Sequence, residues 1–174
     1  MIHQQLAFLP LFFFMLGAFA SATAQQWVEH RPQDGGYRIE FPGAPAIETE
    51  DRRNRAGPYK LTMASYQASR RVVFMATHAV MRPDSLDPDP QAELDRMRDG
   101  SLQSSKGTLL DETRLSIGGM PARRIVMDIP EGRTVGMVVL SGNRIFHVIV
   151  VVPAGWEDGP DVKRFLNSFA LVSP

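Results

Sequence analysis

The chain has 174 residues, no net formal charge and no cysteine. Its length fits one domain plus an export segment, and its hydrophobic (44%) and charged (22%) contents are those of an ordinary globular protein. Zero net charge leaves no global field to attract nucleic acid or an anionic membrane, and the missing cysteine excludes disulfides, thiolate zinc sites, cysteine nucleophiles and a lipidated cysteine.

The N-terminal stretch reads as an export signal. Leu6 to Ala20 is an apolar run, followed by Ser21-Ala22-Thr23-Ala24, in which Ala22-x-Ala24 is a small-residue cleavage pattern. The run is shorter than the roughly 20 residues a membrane span needs. Residues 1–24 are therefore expected to be a signal peptide, and 25–174 a single bacterial domain, periplasmic or secreted, with no stable membrane insertion after cleavage; because no Lys or Arg precedes the apolar run, an uncleaved anchor is the alternative. A domain of about 150 residues buries roughly 68–70% of its unfolded surface and needs no covalent staple.

Trp27-Val28 opens this domain. Asp34-Gly35-Gly36 marks a turn, after which Tyr37, Ile39 and Phe41 alternate with Arg38 and Glu40 in a strand that Pro42-Gly43-Ala44-Pro45 stops. Ile47 to Arg53 reads as a short edge strand, its charges suited to an exposed edge. Pro58–Ala68 and Arg71–Met81 form a hairpin with Val72, Phe74, Ala76, His78 and Val80 on one face. A Pro-rich loop carrying Asp84, Asp87 and Asp89 follows. Asp89-Pro90 starts a helix, with a capping carboxylate before a proline at the first helical position. Leu94 and Met97 begin its apolar stripe, and Gly107 is placed to end it.

Thr108–Ile117 and Ala122–Ile129 form a further hairpin around Gly118-Gly119-Met120-Pro121. The organising stretch is Thr134–Pro153, two apolar runs joined at Gly142-Asn143, a strong two-residue hairpin signal. A tight turn sets Leu140 opposite Ile145, Val138 opposite His147 and Gly136 opposite Ile149. Both faces are apolar, so this hairpin is expected mid-sheet with cover on each side. A last helix starts near Pro160, with Val162, Phe165, Leu166 and Phe169 on one face. Gly136 is expected to let a helix approach the sheet closely. Strands joined by short turns imply an antiparallel sheet, and the two helices make the class α+β.

Four of these stretches resemble the small exported bacterial proteins of the PsbP/DcrB-like group. They are Trp27 with Gly36-Tyr37-Arg38-Ile39-Glu40-Phe41-Pro42-Gly43-Ala44-Pro45; Gly119-Met120-Pro121-Ala122-Arg123-Arg124; Gly142-Asn143-Arg144-Ile145-Phe146; and Phe165-Leu166-Asn167-Ser168-Phe169. Ala122 departs from the pattern, standing where a second glycine is usual. The resemblance covers nearly all of the mature chain. It implies an antiparallel β-sheet flanked by helices, an α/β/α sandwich. It implies no particular activity, because the wider fold includes a photosystem subunit, a nuclear-transport cofactor and envelope proteins without assigned activity. No partner-binding motif of the group is carried over.

The residues that could carry chemistry are few. His78 and His147 lie mid-strand on apolar faces, where a base, an acid or a metal ligand is weighed against a buried, hydrogen-bonded imidazole. The spacing of Asp84, Asp87 and Asp89 is not that of a calcium loop and suits turns and capping. Arg52, Arg53 and Arg55 form a basic cluster, and Arg70-Arg71 and Arg123-Arg124 add pairs. Such residues meet a phosphate-bearing or acidic envelope partner or simply form a solvated edge. Trp156 sits in a loop as a possible interface anchor. There is no Gly-x-Ser-x-Gly elbow, phosphate loop or dinucleotide fingerprint, and no cofactor or metal is expected.

The leading expectation is an exported non-catalytic domain that binds an envelope protein or component, with Arg52, Arg53 and Trp156 as contact candidates. The alternatives are a small-ligand or lipid carrier between sheet and helix, and a hydrolase using His78 or His147 with an aspartate. The hydrolase requires both imidazoles to open into one pocket beside a carboxylate.

Overall fold

A computed structural model describes residues 26–54 and 57–172. The expected signal peptide and Arg55 of the basic cluster lie outside the described residues. The elements in order are β1 (Val28–His30), β2 (Tyr37–Phe41), β3 (Ala46–Asn54), β4 (Gly57–Ser69), β5 (Val72–Val80), α1 (Pro90–Ser105), β6 (Thr108–Ile117), β7 (Met120–Ile129), β8 (Gly132–Ser141), β9 (Arg144–Val152), α2 (Pro160–Ser168) and β10 (Ala170–Leu171).

Strands β3 to β9 form one antiparallel seven-stranded sheet in the order β3-β4-β5-β9-β8-β7-β6. The β8–β9 hairpin has the register expected from its sequence, with Leu140 opposite Ile145, Val138 opposite His147 and Gly136 opposite Ile149. Of its two turn residues only Gly142 takes a positive φ (59°), at the position that requires glycine in a type II′ turn.

On one face lie α2 and a small second sheet, β1-β2-β10. The alternating Tyr37, Ile39 and Phe41 of β2 and the Val162, Phe165 and Leu166 stripe of α2 meet Phe74, Ala76, Val135, Val139, Phe146 and Val148 of the large sheet in one core. Phe165 is fully buried there, edge-on to Phe41 and Phe74 at centroid distances of 5.0 and 5.2 Å. The two-residue β10 had no signal of its own. It forms because the chain leaving α2 runs beside β2, pairing Ala170 with Arg38 and Leu171 with Tyr37.

On the opposite face α1 packs on β7 and β8. Its start follows its sequence: the Asp89 side chain accepts a hydrogen bond from the Gln91 amide at 2.9 Å. Its end does not, because Lys106 rather than Gly107 takes the left-handed conformation (φ 52°), and the Gly107 amide closes on Leu102 O at 2.9 Å.

What holds α1 down is also not the stripe alone. Leu94 is buried, but beside it Arg123 of β7 is only 1% exposed. Arg123 Nη1 donates to Asp95 Oδ1 (2.6 Å) and to the Glu112 carboxylate, and Nη2 to Gln91 O and Oε1 (3.3 and 3.1 Å). Arg98 of α1 completes the network by donating to Glu112 Oε2 at 2.8 Å. Burial opposes ionisation of Glu112, but the bonds from Arg123 and Arg98 outweigh it and hold the carboxyl below its usual range. The reading of Arg123-Arg124 as a solvated pair is therefore corrected for Arg123. Only Arg124 keeps a more open setting, paired with Asp111 at 3.1 Å.

Gly136 is corrected too. A Cβ there would stand 2.5 Å from Val148 O and 3.2 Å from Ile149 Cα, so the missing side chain accommodates the backbone of β9, not a helix.

Candidate functional site

Cross-strand partners in an antiparallel pair share a face, which places the two mid-strand histidines at once. His78 pairs with Phe146, whereas His147 pairs with Thr77 and Val138. His78 therefore faces the α2 side and His147 the α1 side. The sheet separates them, and the shared pocket required of a two-histidine hydrolase is not formed.

His147 lines a groove of about 250 Å³ between α1 and the sheet. Met97, Ser101 and Ser105 of α1 form one wall, and Met75, Ile149 and Val151 of β5 and β9 form the other. Burial lowers the His147 pKa to about 4, so its imidazole is neutral at neutral pH. Ser101 and Ser105 donate back to helix carbonyls, at 2.9 and 2.7 Å, which leaves the groove with little polarity.

From the outer wall of this groove the apolar face continues with no covering element among the described residues. Met63, Val73, Met75, Ile149 and Val151 lie on the α1 side of β4, β5 and β9, and each is partly exposed. These strands occupy the second, third and fourth places in the sheet, where cover on both faces is expected. Periodicity reported that both faces of β9 are apolar. It carries no information on how far a 16-residue helix reaches across a seven-stranded sheet.

His78 belongs to a different neighbourhood. Tyr37 stacks edge-on against His30, His78 and Phe146, with centroids 6.0, 5.6 and 5.7 Å apart. The His78 Nδ1 is buried with no hydrogen-bond partner among the described residues. Burial first, then the positive charge of Arg144 and the neighbouring His30, push its pKa down, and Asp34 opposes them. Next to this cluster opens a cleft of about 650 Å³ between residues 31–36, the Ser141–Arg144 turn and Leu171-Val172.

The three contact candidates are exposed but do not form one surface. Arg52 and Arg53 sit on edge strand β3, opposite Tyr59 and Pro58, at the end of the sheet where β9 begins. Trp156, 61% exposed, follows the end of β9 and lies at the other end. Its loop is fixed by the bonds Trp156 N to Pro153 O (3.1 Å) and Gly159 N to Trp156 O (3.0 Å), and the ring flanks a depression of about 500 Å³. The loop aspartates are used locally: Asp84 pairs with Arg82 at 2.7 Å, and Asp87 and Asp89 each accept a backbone amide at 2.9 Å. No helix among the described residues is long and apolar enough to cross a membrane.

No protein-family model matches this chain, and no curated protein matches it in sequence. Its architecture is nevertheless shared. The solution structure of cyanobacterial PsbP from Synechocystis sp. PCC 6803 aligns with 90% of this chain and 98% of that one, with a TM-score of 0.58 at 10% identity. A Pseudomonas aeruginosa protein of unknown function, described as a putative regulator, aligns over 75% of this chain and 85% of its own, with a TM-score of 0.34 at 9% identity. The PsbP match establishes a PsbP-like α+β fold, in agreement with the resemblance seen in the sequence, and at this identity it speaks for the fold alone.

Proposed function

We propose that this protein is an exported domain that acts by binding an envelope protein or another envelope component, not by catalysis. The observation that carries the reading is the unroofed strip beside α1. Met63, Val73, Met75, Ile149 and Val151 are partly exposed on strands that a seven-stranded sheet normally covers. Apolar surface in such a place marks an interaction site. Methionine lets the strip adapt to a partner's shape, because its unbranched thioether side chain repacks easily. The export part of the reading rests on Leu6–Ala20 and the Ala22-x-Ala24 pattern.

The test is photo-crosslinking in the living cell from a probe residue at Met75. The expected result is one discrete envelope adduct that Val151→Lys abolishes and that a probe at Thr113, exposed on β6, does not give. Indistinguishable adducts from Met75 and Thr113 would sink the reading.

A further inference from the structure

The cleft at the hairpin end is separate from the strip beside α1 and has different chemistry. Two guanidiniums, of Arg31 and Arg144, line it together with Asp34, and the partly exposed Leu171 and Val172 supply an apolar wall over the buried Phe146. The other partly or fully buried arginines all face a carboxylate: Arg98, Arg123, Arg124 and Arg133. Arg144 is also only partly exposed, and it has no ion-pair partner among the described residues. Its Nη1 donates to the Asp34 carbonyl oxygen at 2.8 Å, which fixes the guanidinium's direction without neutralising it. Gly36 lies directly against it; a Cβ there would stand 2.9 Å from Nη1. The remaining guanidinium N–H groups have no protein acceptor among the described residues.

A partly desolvated guanidinium held by one neutral bond keeps a planar donor fork for an oxyanion. The exposed Asp34 carboxylate disfavours a second negative charge, so a singly charged oxyanion fits better than a phosphate dianion. We propose that this cleft binds the carboxylate of a ligand with an apolar body. Arg144 takes the carboxylate, Arg31 adds positive charge, and Leu171 with Val172 takes the apolar part. Two sources offer this chemistry, a fatty acid and the C-terminus of an apolar peptide.

The experiment titrates the protein with decanoate and with acetyl-Leu-Leu-Phe, each beside its uncharged amide, and follows backbone amide shifts by NMR. At least one acid is expected to saturate, with shifts at Gly36, Phe146 and Val172, and to bind about tenfold or more tightly than its amide. The acid that saturates identifies the source. Arg144→Gln is expected to remove a similar factor. The acid–amide comparison uses the unaltered protein and decides even if that variant fails to fold. Equal binding of acid and amide, no saturable binding of either acid at millimolar concentration, or shifts centred on Met75 and His147 instead would each overturn the proposal. The last outcome places the ligand in the α1 groove; the first two leave the reading tested by the crosslink from Met75 untouched.

Discussion

Arg123 Nη1 donates to Asp95 Oδ1 over 2.6 Å, joining the middle of β7 to the second turn of α1. Asp95 is 42% exposed in its side chain while Arg123 is 2% exposed, so the arginine is the member that water does not reach. Arg123→Ala leaves Glu112 with Arg98 as its one remaining cationic partner and empties the space the arginine stem fills, and it is expected to cost about 3 kcal/mol. Arg123→Met keeps the stem's packing and should cost less. Urea denaturation of the two variants measures the difference, and equal losses would assign the whole effect to charge.

His147 gives stability a pH dependence whose sign is fixed by its depressed pKa. The unfolded chain takes up the proton near the ordinary value of 6.5, whereas the folded chain resists until about 4. Between those values the unfolded state binds more protons, so the contribution is full above 6.5 and is lost as pH falls toward 4. His147→Gln removes this titration. The stability of the natural protein relative to that variant should therefore fall between pH 7 and pH 5, and parallel profiles would refute the assignment.

Gly136→Ala tests the closeness of β8 and β9. The new methyl meets main-chain atoms that cannot rotate away, Val148 O at 2.5 Å and Ile149 Cα at 3.2 Å. Overpacking of this kind costs about 1–3 kcal/mol. A melting temperature unchanged from that of the natural protein would show that the ladder shifts freely.

Arg52, Arg53 and Trp156 should behave as two independent surfaces, since the length of β9 separates them. Arg52→Ala with Arg53→Ala, and Trp156→Ala, are each expected to alter stability by no more than about 0.5 kcal/mol. Their effects on partner recovery should add. Marked non-additivity would mean that one partner spans the sheet from end to end.

Much of this fold is legible in the sequence because its signals are local. The Gly142-Asn143 turn sets the register of β8 and β9, Asp89-Pro90 starts α1, and the Val162–Phe169 spacing gives α2 its buried face. The remainder depends on which strands meet across the chain. Nothing near Arg123 in sequence distinguishes it from Arg124, yet the alternation of β7 turns one under α1 and the other toward Asp111. Likewise, the separation of His78 from His147 depends on the pairing of β5 with β9, in which Thr77 rather than His78 stands opposite His147. The cleft around Arg144 joins residues from both ends of the domain, and no spacing along the chain reveals it.

The pairing of β5 with β9 also governs the order in which this sheet can assemble. Every other strand pair in the seven-stranded sheet joins neighbours along the chain, so β3–β5 and β6–β9 are two ribbons sewn along a single seam. Met81 and Asn143, 62 residues apart, knot one end of that seam: Met81 N donates to Asn143 O at 2.8 Å, and Asn143 Nδ2 donates back to Met81 O at 2.7 Å. Closing so long a loop is entropically dearer than zipping a hairpin, which favours the ribbons forming first. Loosening the knot with Asn143→Ala should then quicken unfolding and leave the folding rate nearly unchanged, because its bonds form after the rate-limiting step. A slowed folding limb in the same variant would place the seam in the nucleus instead.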